Sequence, residues 1–144
     1  ADNGINATPA AADLVADYDR ATAMDMFSPL IGTTEFDCVI ANNDAMALGA
    51  IEALKAKNID PSTIPVVGID ATADGIQAIK DNEMAMTVYQ NPYGQGSASV
   101  KVAVNLLEGK SIETDTGYQV DAENKSCLWV PFEPVTKDNV ADYE

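Results

Sequence analysis

The sequence predicts an α/β fold, a three-layer parallel sheet with helices on both faces. After residue 20 its apolar residues switch repeatedly between a strand-like run and a helical period. The strand-like runs are separated by stretches of about 10–15 residues with helical spacing, the order that right-handed βαβ crossovers produce. Length agrees with this: 144 residues that are 47% apolar can bury one ordinary core.

The elements follow in order. Residues 1–5 (ADNGI) read as the end of a helix whose beginning is absent, and residues 10–16 (AAADLVA) as a weak strand. Ala23, Phe27 and Leu30 share one helical face and are stopped by Gly32. Residues 36–41 (FDCVIA) read as a buried strand. From Asp44 a second helix puts Ala47, Leu48, Ile51 and Leu54 on one face, with Asn43 or Asp44 able to cap its first amides. Residues 64–69 (IPVVGI) form the next strand, after the turn at Asp60 and Pro61, and Ile76 with Ile79 begins another helix. Residues 84–90 are strand-like again, and Val100, Ala103, Val104 and Leu107 mark a helix that Gly109 terminates. The last third is polar up to Lys125, then apolar. Two prolines demote residues 126–137 from a central strand to an edge strand or a crossover.

Composition narrows the chemistry. The chain has 23 acidic residues against 8 Lys and Arg, a net charge of −15, which excludes a nucleic-acid surface because phosphate binding needs clustered positive charge. There is no histidine, so the usual zinc ligand and the commonest general base are both missing. Neither a phosphate-binding GxGxxG nor a nucleophile elbow is present. No catalytic residue, metal or cofactor is therefore expected. Cys38 and Cys127 lie far apart beside β-type residues and are expected as two buried thiols rather than a disulfide.

The polar residues have a pattern of their own. In an open parallel sheet, ligands bind beyond the carboxyl ends of the strands. Here the first strand runs into Asn42, Asn43 and Asp44, the second into Asp70, and the third into Gln90 and Asn91. A carboxylate accepts two hydrogen bonds and a carboxamide both donates and accepts, which is the mixture that a neutral polyol requires. For Asn43 and Asp44, helix capping is an equal alternative. The DATADG at 70–75 imitates the start of a calcium loop, but a β run precedes it and position 12 is Asp81 where a bidentate Glu is needed.

Three segments, VIANNDAMALGAIEALK (39–55), IPVVGIDA (64–71) and TVYQNP (87–92), closely resemble the C-terminal lobe of bacterial periplasmic sugar-binding proteins, most of all the galactose/glucose-binding type. The resemblance implies a two-lobed receptor that closes on a monosaccharide, delivers it to an ABC transporter permease and in some cases signals through a chemoreceptor. It implies a periplasmic location, or an extracellular, lipid-anchored one in a Gram-positive host. By the same resemblance Asn43 and Asp70 bond sugar hydroxyls, and Gln90 stands where the galactose/glucose type has Asn and the ribose type Gln. Tyr18 matches the stacking aromatic, with a partly buried core position as its alternative. Asp37 falls where that type has a calcium-ligating Glu, without the other ligands.

The resemblance also implies that residues 1–144 are a partial C-terminal lobe, incomplete at its N-terminus. Its open sheet edge would be filled by the missing part of the parent or by a second chain, and residues 126–137 would form an edge strand or cross toward the missing lobe. The effector-binding core of lac-repressor-type transcription regulators shares these segments and is the alternative; the strong acidity and the NPYGQG that ends at Gly96 favour the transport protein.

Overall fold

A computed structural model describes Gly4 and residues 6–143. The helix end expected at residues 1–5 lies outside the described residues, Gly4 apart. The chain divides into two compact units, residues 1–88 with 134–144, and residues 89–133.

The first unit is built on short parallel strands. β1 (Val39–Ile40) pairs with β2 (Val66–Val67), and β2 pairs with β3 (Met86–Tyr89), both in parallel. β4 (Glu133–Thr136) completes the sheet in the order β1-β2-β3-β4, so β1 and β4 are its edges. Pro134 removes an amide that a central strand would need.

Among the described residues three α-helices belong to this unit. α1 (Arg20–Phe27) starts at Asp19, whose side chain accepts from Thr22 N at 2.7 Å, and packs on α2 (Asp44–Ala56). α2 buries Ala47, Leu48, Ile51 and Leu54 and covers β1 and β2, matching the face marked by its helical spacing. α3 (Ala73–Lys80) is capped by Thr72 and buries Ile76 and Ile79. Ile51, Leu54, Ile79 and Val66 are among the largest fully buried side chains, so the core lies around α2, α3 and β2.

Two expectations fail here. The run at 36–41 is not a buried strand: only Val39 and Ile40 pair, and Ile40 is 76% exposed on the edge. Residues 10–16 form no strand, and Leu14 and Val15 are exposed. A strand needs a partner as well as a suitable sequence, and neither segment has one on its outer side among the described residues.

The second unit holds α4 (Pro92–Leu107), with Pro92 at its first position and Asn91 as its cap. Gly109, at φ 69°, ends it as expected. The apolar stripe of α4 is exposed, however: Tyr93, Val100, Val104 and Leu107 face outward, while Ala98 and Asn105 are buried. Asn105 is held there by its amide, which donates to Thr114 O at 2.8 Å. Helical spacing identified the apolar face but says nothing about whether another element covers it. The cysteines are free thiols as expected, but their expected burial is corrected: Cys38 is exposed and Cys127 half-buried. Cys38 lies just ahead of the two-residue edge strand, where nothing among the described residues closes over it.

Candidate functional site

The parallel register brings two of the expected residues together. Ile40 pairs with Val67, so Asn43 and Asp70 stand at equivalent positions three residues beyond the carboxyl ends of adjacent strands. The backbone confirms the juxtaposition: Asp44 N donates to Ile69 O at 2.8 Å.

Asn43 serves α2 directly. Its backbone is extended and its Oδ1 accepts from Met46 N at 2.9 Å, satisfying an amide that the first helical turn would leave open. The carbonyl half of the side chain is thus committed to capping, which leaves the amide half as a donor. Capping and ligand binding are compatible here because they use different atoms.

Asp70 is exposed, just past β2, and its amide donates to Val88 O at 2.9 Å. Partial desolvation of its carboxyl, followed by the negative charge of Asp44, holds its pKa above the ordinary carboxylate value. Its backbone is strained: Asp70 has φ 113° and Ala71 φ 51°, both in the region that favours glycine. Such conformations cost about 1–3 kcal/mol each and persist only where surrounding structure holds them. The element entering this turn is a strand, so the calcium-loop reading of DATADG fails on context as well as on spacing.

The surrounding structure that holds this turn is built on Asp44. Asp44 does not cap α2; its side chain is completely buried. Its Oδ2 accepts from Thr72 N at 2.7 Å and from Thr72 Oγ1 at 3.0 Å. Its Oδ1 accepts from Thr87 Oγ1 at 2.6 Å. Thr87, itself buried on β3, accepts from Ala71 N at 3.2 Å. Two glycines make room for the carboxylate: a Cβ on Gly68 would lie 2.3 Å from Oδ1 and one on Gly75 2.2 Å from Oδ2. Sequence reasoning passed over this network. The available signal was Thr87, a hydroxyl placed by the period of two on the inward face of a strand, where it must find a partner.

Tyr18 precedes α1 in a left-handed turn, with Asp17 at φ 49° and Tyr18 at φ 63°. Its side chain is 71% exposed, so the alternative of a partly buried core residue is wrong; the turn points the ring away from the unit's interior. Gln90 belongs to the second unit. It is half-exposed after β3, and its carbonyl accepts from Gln95 Nε2. Beside it Asn91, at φ 47°, caps α4 by accepting from Gly94 N at 2.8 Å.

Comparison with known proteins supports the same fold. The family model described as periplasmic binding protein domain matches residues 2–111. The D-galactose/methyl-galactoside binding periplasmic protein MglB of Haemophilus influenzae is 33% identical over 129 residues, 88% of this chain and 37% of the relative. The ribose import binding protein RbsB of the same organism is 37% identical over 99 residues, 68% of this chain and 33% of the relative. Among solved structures, an ABC transporter solute binding protein from Bacillus halodurans with bound myo-inositol superposes with a TM-score of 0.71 at 40% identity, over 89% of this chain and 40% of the other. The chain therefore spans well under half the length of these relatives. With the family model covering most of its length and the parallel strands, strand-end turns and helices already described, the chain belongs to the periplasmic binding protein domain family.

Proposed function

We propose that this chain supplies part of one lobe of a two-lobed receptor that binds a neutral cyclic polyol reversibly and delivers it to an ABC transporter. The observation that carries this reading is the pairing of Asn43 and Asp70 at the ends of adjacent parallel strands, a donor beside an acceptor. A sugar hydroxyl both donates and accepts, so such a pair suits a run of neighbouring ring hydroxyls. Asp70 accepts from two of them and Asn43 donates to a third. Tyr18, exposed as a stacking residue must be, covers the apolar C–H face of the ring. Binding is non-covalent, and the receptor works in the periplasm or, lipid-anchored, at the outer face of a Gram-positive membrane. A transporter permease is its partner, with a chemoreceptor as a further one.

Within that class we favour a galactose- or glucose-like hexose, the type that the strand-end segments most resemble. The relatives bind, by name, galactose, ribose and myo-inositol, and Gln90 in place of Asn is the residue that would shift the choice among them. The edge of β1, unpaired on its outer side among the described residues, and the exposed stripe of α4 support a lobe completed by the rest of its parent or by a second chain.

Isothermal titration of the full-length parent against D-galactose, D-glucose, D-ribose and myo-inositol, with galactose 6-phosphate as an anionic control, tests the proposal. Saturable binding of a neutral member with none of the phosphate ester is expected. Binding of no neutral member would end this reading.

A further inference from the structure

We infer that Asp44 is the positioning residue of the ligand site: fully buried itself, it holds the Asp70 turn in the conformation that presents the Asp70 carboxylate. The inference rests on the reading of Asp70 as a hydroxyl acceptor.

Asp70 and Ala71 both sit at positive φ, where neither has the freedom of glycine. A turn of that kind reverts to an ordinary conformation unless its amides are held. The amides of the next two residues, Ala71 and Thr72, both lead to Asp44. Thr72 N donates to Asp44 Oδ2 directly, and Ala71 N donates to Thr87 Oγ1, which donates in turn to Asp44 Oδ1. The Thr72 hydroxyl adds a further bond to Oδ2 while accepting from Gly75 N, so the start of α3 is fastened to the same carboxylate. One buried group thus links the first residue of α2, the middle of β3 and the first turn of α3.

The chemistry of the anchor matters. All three groups that Asp44 receives are donors, so its two oxygens must both accept, and an amide cannot replace it without turning an NH₂ toward a donor. Thr87 must both donate and accept, which a hydroxyl alone among side chains of its size can do. The absence of side chains at Gly68 and Gly75 is what admits the carboxylate, since a Cβ at either would lie 2.3 Å from Oδ1 or 2.2 Å from Oδ2.

The test uses the full-length parent with four variants: Asp44→Asn, Thr87→Val, Thr87→Ser and Ile51→Val. The last removes a methyl group from the buried face of α2 as a control for stability alone. Affinity for D-galactose, D-ribose and myo-inositol is measured by titration, and amide hydrogen exchange at Ala71 and Thr72 by NMR. Asp44→Asn and Thr87→Val should weaken the bound sugar at least tenfold and speed exchange at Ala71. Thr87→Ser should restore both, and Ile51→Val should lower the melting temperature without changing either. Wild-type affinity and unchanged Ala71 exchange in Thr87→Val would overturn the inference, as would a Thr87→Ser as impaired as Thr87→Val. If the wild type binds none of the three sugars, the ligand reading of Asp70 fails by itself. The exchange rates then decide whether Asp44 holds the turn: faster exchange at Ala71 in Thr87→Val supports it, and unchanged exchange overturns it.

Discussion

Replacing Gly75 by alanine should destabilise the protein, although it exchanges a poor helix former for the best one. Gly75 is the third residue of α3, and in an open helix the substitution would gain up to about 1 kcal/mol. Here the added methyl would lie 2.2 Å from Asp44 Oδ2 and 2.6 Å from its Cγ, well inside contact distance. Relief requires moving a buried carboxylate whose Oδ2 accepts two hydrogen bonds. Losing one hydrogen bond to a charged group costs about 1.5–3 kcal/mol, and overpacking about 1–3 kcal/mol. Set against the helical gain, the net loss should be about 2–4 kcal/mol, a fall in Tm of roughly 6–15 °C. Gly96, within α4, is the matched control: a Cβ there meets nothing within 4 Å, so Gly96→Ala should stabilise. Urea and thermal denaturation followed by circular dichroism measure both. A Gly75→Ala protein as stable as wild type, or more so, would refute the packing assigned to Asp44.

Three further outcomes are expected. Asp70→Asn should raise stability at neutral pH: a carboxyl whose folded pKa is raised favours the fold only while protonated, a contribution present below about 3.8 and lost as pH rises through the folded value. The advantage of the variant should therefore vanish in denaturation curves taken below that pH. Asn43→Asp keeps an oxygen to accept from Met46 N and should change stability by less than about 0.5 kcal/mol, while Asn43→Ala should cost about 1 kcal/mol. Both should lose sugar affinity in titration, because both lack the amide donor. Tyr18→Ala should leave Tm unchanged, since the ring is exposed, yet weaken binding about 2- to 10-fold, the worth of one stacking contact, and Tyr18→Trp should restore it.

The sequence made some of this legible and not the rest, for physical reasons that particular residues display. α2 was plain, because its apolar residues repeat at helical spacing over 13 residues and all four that mark its face are buried. The strand ends were legible as well, since a run of Val and Ile that stops at Asp70 locates a turn without any knowledge of neighbours. Partnership was not. Residues 10–16 and 36–41 have the composition of strands, but pairing is a property of the chain beside them, and α4 carries an apolar stripe that nothing described here covers. Asp44 was misread because capping is a local matter, decided between Asn43 and Asp44 by backbone geometry, whereas its true partners lie 28 and 43 residues away.

The account stands most directly on the Asp70 carboxylate. Two charge-assisted hydrogen bonds to sugar hydroxyls, at about 1.5–3 kcal/mol each, correspond to a loss of at least about a hundredfold when they are removed. Titration of full-length Asp70→Ala beside wild type, with the neutral sugar that wild type binds, measures that loss. A weakening of about a hundredfold or more in a folded protein is the predicted result. Affinity equal to that of wild type would contradict the assignment of Asp70 to the ligand.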